Sequence, residues 1–141
     1  MICVETRSFQ QQIEVLKHLA SDRALMVCAW LYPESELQSI AGFDTDLVPV
    51  GLQPVTTYGD NHQPRHTTLC IASNDAFEAF SDAESEVRAN CDCLALYTEG
   101  ESSWYASAIG HEGMCLLNTE ATPSALRNAG FTISNEAPPW W

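Results

Sequence analysis

Ala24-Leu25-Met26-Val27-Cys28-Ala29-Trp30-Leu31 is apolar at every position. A strand with one wet face alternates apolar and polar residues, whereas a run that is apolar on both alternations fits a strand covered on both faces. The stretch therefore predicts a central β-strand inside a two-sided core. Extended to Tyr32 the run has nine residues, and spanning a bilayer takes about 20.

The flanks supply the rest of the pattern. Residues 2–6 read as a short strand. Ser8 with Gln11 three residues on forms a capping box, and Phe9, Ile13, Leu16, Leu19 and Ala20 recur at helical spacing before Asp22-Arg23. Pro33 and Gly42 bracket a short helix over 34–41, with Leu37, Ile40 and Ala41 apolar. Val48, Val50 and Leu52 alternate like a strand that Pro49 and Pro54 confine to a sheet edge. Residues 59–66 read as an exposed loop.

Residues 67–73 predict another strand. Asn74 is placed to cap the next helix, whose spacing is marked by Phe77, Phe80 and Val87. Three strands follow, over 93–98, 103–109 and 114–118, the last two joined by the hairpin loop Gly110-His111-Glu112-Gly113. Thr122-Pro123 opens a last short helix, Gly130 closes it, and 131–134 can form a final strand. Helices and strands alternate at first, and then strands cluster. That order predicts an α+β fold, with mixed α/β as the neighbouring class. The expectation is a single domain over 1–141, with helices packed on a predominantly antiparallel or mixed β-sheet.

Charge is the second strong signal. Nineteen acidic residues face six basic ones in 141, a formal net charge of -13. Charged residues are only 18% and hydrophobic ones 45%, so the imbalance reflects scarce Lys and Arg in a globular composition, not a disordered acidic tail. Such a surface repels nucleic acid and anionic membranes and attracts basic partners. Between residues 75 and 101 lie eight acids (Asp75, Glu78, Asp82, Glu84, Glu86, Asp92, Glu99, Glu101) and one base, Arg88, a local sum of -8 + 1 = -7. On one continuous helix Asp75, Glu78, Asp82 and Glu86, at steps of three, four and four, share a face. One turn of helix is about 5.4 Å, so such a row roughly imitates the phosphate repeat of a nucleic-acid strand. It could occupy the groove of a nuclease or another basic protein, with Glu99 and Glu101 at the rim. The plainer reading is a solvated helix face.

Other chemistry is weakly signalled. The six cysteines read as small buried hydrophobes in reduced form. Cys91 and Cys93, two apart, would share one side of a strand. His62, His66 and Asp60 complete a possible metal set, but the spacing is not that of a structural zinc site, so no metal and no cofactor is expected. Asp44-Thr45-Asp46 resembles a DxD element but carries no further signal. His111 with Cys115, or the His62–His66 loop, would serve a small enzyme or ligand-binding domain. No GxSxG, HExxH, GxGxxG or Walker loop occurs. Trp140 and Trp141 could dock on the domain or on a partner.

In size, charge and absence of catalytic motifs, the chain resembles bacterial immunity proteins, which neutralise toxins from competitors, and some phage-encoded anti-defence proteins. No motif is shared, so no residue role is carried over. The function expected is a small acidic binding protein in the cytoplasm, an inhibitor that occludes a basic toxin or nuclease. No catalytic residues, no direct nucleic-acid contact and no membrane contact are expected, and a homodimer is compatible. The alternative is the small enzyme or ligand-binding domain built on His111 and Cys115 or on His62 and His66.

Overall fold

A computed structural model describes residues 1–21, 23–35, 50–55 and 66–136. The helix expected over 34–41 falls almost wholly outside them, as do Asp44, Asp46, Asp60, His62 and the Trp140-Trp141 tail.

The run that predicts a central strand forms β2 (Leu25–Leu31). It pairs with β3 (His66–Ile71) on one side and β4 (Cys91–Thr98) on the other. The hairpin partners β5 (Trp104–Ile109) and β6 (Met114–Leu117) continue the sheet, and β1 (Ile2–Glu5) and the two-residue β7 (Ile133–Ser134) complete it. The order is β3-β2-β4-β5-β6-β1-β7, with every neighbouring pair antiparallel. The fold is α+β, with helices α1 (Phe9–Ala20), α2 (Asn74–Asp82), α3 (Glu84–Asn90) and α4 (Ser124–Asn128) packed on this one sheet. No helix among the described residues is long and apolar enough to cross a membrane.

β2 is buried on both of its faces, as the Ala24–Leu31 pattern requires. Val27, Ala29 and Leu31 join the helix-side core with Ile13, Leu16, Phe77, Phe80 and Leu126. Cys28 and Trp30 point the other way, into a second cluster with Cys93, Tyr97, Trp104 and Leu116, against which Leu52 and Val55 pack. Trp30 Nε1 donates to the Tyr97 hydroxyl at 3.1 Å, and that hydroxyl donates to the Gln53 carbonyl at 2.7 Å. A chain of hydrogen bonds thus satisfies the polar ends of two aromatics and ties the segment over 50–55 to the sheet. Residues 50–55 form no strand, and their backbone bonds to the β4–β5 turn (Gln53 N to Ser102 O, 2.8 Å); Val48, where the expected alternation begins, lies outside the described residues.

Local signals place the helices. Ser8 caps α1, its hydroxyl accepting from Gln11 N at 3.2 Å; the Gln11 side chain accepts from Arg7 N at 2.7 Å, one residue beyond the N-cap amide of the reciprocal box. Ser73, not Asn74, caps α2, accepting from Ala76 N at 3.3 Å. α4 ends in the left-handed Gly130 (φ 83°), with Gly130 N on Arg127 O at 3.0 Å and Phe131 N on Leu126 O at 3.1 Å. That bond pair is the Schellman arrangement.

Two further expectations are corrected. The helix predicted from Asn74 through Val87 is two helices, broken at Ala83 (φ -97°, ψ 24°). No glycine or proline marks the break, but Ser81, Asp82 and Ser85 cluster weak helix formers there. Cys91 and Cys93 do not share a side. A β-bulge sets Trp30 opposite Cys93 but Leu31 opposite Cys91, leaving Asp92 as the extra residue. Cys91 therefore enters the helix-side core and Cys93 the other, as an inserted residue reverses facing.

Candidate functional site

β3 and β4 run the same way, and Ile71, Met26 and Tyr97 lie in one row across β3, β2 and β4. α2 therefore starts at the end of the sheet where β4 turns into β5, two strand spacings or about 10 Å away. The α2–α3 pair returns to the opposite end, where Asn90 leads directly into β4.

This geometry sorts the six predicted partner-binding acids. Ala76, Phe77 and Phe80 bury the sheet-facing side of α2, and Asp75, Glu78 and Asp82 are exposed. Phe77 and Phe80 stack edge-on at 6.1 Å between ring centres, and burying each side chain contributes about 2–3 kcal/mol to holding that orientation. Glu99 and Glu101 are exposed on the β4–β5 turn, closed by Glu101 N on Thr98 O at 3.0 Å, at the end of the sheet where α2 begins. Glu86, also exposed, belongs to α3. The step from Asp82 to Glu86 crosses the break at Ala83, so the spacing that joined it to the α2 row does not fix a common face.

Asp75 lies in the first turn of α2, where the helix dipole favours a carboxylate. Asp82 is the last residue of α2, where the dipole disfavours one, and no basic residue occupies that last turn. Arg88, the lone base between residues 75 and 101, is engaged by Glu84 at 3.3 Å on the same helix. Such an exposed pair contributes about 0.3–0.5 kcal/mol, and it engages the one basic residue that α2 and α3 carry.

The second candidate region lies at the other end. A groove of about 490 Å³ opens between α3 and the β5–β6 turn, lined by Glu84, Ser85, Arg88, Ala89, Gly110 and His111. Gln12 holds this turn from beneath. It is 2% exposed, and its amide donates to the carbonyls of Ile109 at 3.0 Å and Met114 at 3.4 Å. The turn closes through Glu112 N and Gly113 N on Ile109 O, with Gly113 in the left-handed region (φ 66°). His111, half exposed, has Asp92 and Glu112 carboxylate oxygens each at 3.7 Å, one beside each ring nitrogen. Burial pushes the Asp92 carboxyl above its ordinary range; His111 opposes that shift and Glu112 adds to it.

Cys115 does not join His111. Its thiol lies in the helix-side core, 3.9 Å from the Gln12 carbonyl, and burial pushes its pKa upward. All six cysteines are buried free thiols, and burial raises Cys28, Cys70 and Cys91 to about 12. A thiol held protonated is a poor nucleophile and a poor metal ligand. Among the described residues no group of three or more His, Cys, Asp or Glu side chains could hold a metal ion. His66, expected in a loop, begins β3.

Gln12 and the Asp92–His111–Glu112 contact were not expected from the sequence. Gln12 had a signal: it falls three residues after Phe9 and beside Ile13, on the buried stripe of α1. The contact had none, because it depends on the bulge at Asp92 and on strand order. Comparison with family models, curated proteins and solved structures found no match.

Proposed function

We propose that this chain is a small acidic binding protein that inhibits a basic protein, a toxin or a nuclease, by covering its active groove, in the manner of immunity or anti-defence proteins. The observation that carries the reading is the exposed acid set of α2. Asp75, Glu78 and Asp82 stand on one helix with no cation of their own, Asp82 against the helix dipole. A partner's Lys or Arg side chains would relieve both the mutual repulsion and the dipole cost. Glu99 and Glu101 widen the patch at the same end, and Glu86 extends it along α3. The field of a chain with net charge -13 would steer a basic protein onto this side and slow the approach of nucleic acid. The cytoplasm is the compartment that suits six reduced thiols.

The test is capture on the immobilised full chain from an extract of its own host at low salt, with elution by a salt gradient, beside the Glu78→Lys/Asp82→Lys variant. The expected result is one strongly basic protein that the wild type retains and the variant does not. Equal retention by both would remove α2 from the interface. A small-ligand domain is the second reading, favoured by the groove beside His111; a metabolite that co-purifies with the chain and is lost on His111→Ala would select it.

A further inference from the structure

Among the described residues no strand covers the outer edge of β3, the strand that leads into the acidic helix. β3 ends the sheet on one side and leads into α2, and the other end is the two-residue β7, too short to template a strand. β3 is six residues long, His66-Thr67-Thr68-Leu69-Cys70-Ile71, and pairs with β2 in unbroken register. It contains no Lys, Asp, Glu, Pro or bulge, the devices by which edges are normally shielded from a further strand.

Its free groups can be assigned. Ala72 N bonds to Leu25 O at 2.9 Å, so Ala72–Leu25 is a hydrogen-bonded pair of the antiparallel ladder. Bonded and non-bonded pairs alternate, which makes Cys70–Val27 and Thr68–Ala29 bonded as well. The backbone N–H and C=O groups of Thr67, Leu69 and Ile71 therefore point outward, and among the described residues nothing pairs with them. The Ile71 side chain is 65% exposed at the end of this edge, and Asp75, Glu78 and Asp82 follow it on α2.

We infer that the outer edge of β3 receives one extended, basic segment of the partner as an eighth strand. The segment's backbone pairs with Thr67, Leu69 and Ile71, an apolar side chain covers Ile71, and its Lys or Arg side chains meet the α2 acids. Backbone pairing supplies the affinity and the acids select the charge. A second copy of this chain is the poorer occupant, because it would bring its own α2 acids towards the first set. The inference rests on the reading of a basic partner given above.

Amide hydrogen exchange on the full chain tests it, with two blocked peptides of the length of β3. One alternates lysine and valine; the other has proline in place of each valine, keeping the charge but losing the strand. At a peptide concentration ten times its Kd, an amide protected only in the complex exchanges about tenfold more slowly. The lysine–valine peptide is expected to slow Thr67, Leu69 and Ile71 in this way and to leave Thr68 and Cys70, already bonded to β2, unchanged. The proline peptide slows none, and Ile71→Lys removes the effect. Equal, salt-sensitive binding of both peptides without protection of β3 would overturn the edge and leave the acidic-face reading standing. Protection that persists in Glu78→Lys/Asp82→Lys would overturn the basic character of the segment. Protection without peptide that grows with protein concentration would assign the edge to a second copy, and no binding of either peptide would overturn both readings.

Discussion

Asp92 occupies the one position that the bulge in β4 adds, and its carboxyl is half buried beside His111 and Glu112. Burial raises its folded pKa above the ordinary 3.8, so the native state holds the proton to higher pH than the unfolded chain does. Stability from this group is therefore greatest at low pH, falls as pH rises from 3.8 through the folded value, and is flat above it. Asp92→Asn removes the penalty. The variant should unfold at a higher temperature than the wild type at pH 7, and the gap should close below pH 3.8. A lower unfolding temperature at pH 7 would mean that the contact with His111 outweighs burial. Gln12 is the complementary case, a neutral amide buried without penalty because it donates to two turn carbonyls. Its burial was legible from spacing along α1; that of Asp92 was not, since no local residue announces a bulge.

At the scale of elements, the signals that held were those whose physics is complete within a few residues. Ser8 with Gln11 starts α1, and Gly130 stops α4. Gly130 can be tested on backbone conformation alone, because a Cβ added there meets nothing within 4 Å. Gly130→Ala should cost about 1 kcal/mol, the strain of a non-glycine residue in the left-handed region, which for a chain of this size lowers the unfolding midpoint by about 3–5 °C. An unchanged midpoint in thermal denaturation would show that the Schellman turn adds nothing. The break at Ala83 went unread for a related reason. Phe80 and Val87 sit seven residues apart and keep helical periodicity through it, so the apolar pattern of one helix and of two is the same.

For the whole molecule, the run from Ala24 to Leu31 was sufficient to place a strand with core on both sides, since each side chain reports only on its own face. Strand order was not legible. β1 joins β6 and β7, and β2 joins β3 and β4, pairings set by contacts more than twenty residues apart that leave no trace in periodicity. The acidic surface was legible as composition, but its shape depended on the fold. The fold keeps Asp75, Glu78 and Asp82 together, brings Glu99 and Glu101 to the same end of the sheet, and moves Glu86 onto a second helix.

The proposed function requires this surface to steer and hold a basic protein. Its most direct measurement is the association rate constant with the protein recovered by capture, followed as ionic strength rises from about 0.01 M to 0.15 M, over which the Debye length shrinks from about 30 Å to 8 Å. The wild-type rate should fall about tenfold or more across that range, and Glu78→Lys/Asp82→Lys should associate slowly at low salt with little further dependence. Equal rates for the two proteins, both insensitive to salt, would contradict it.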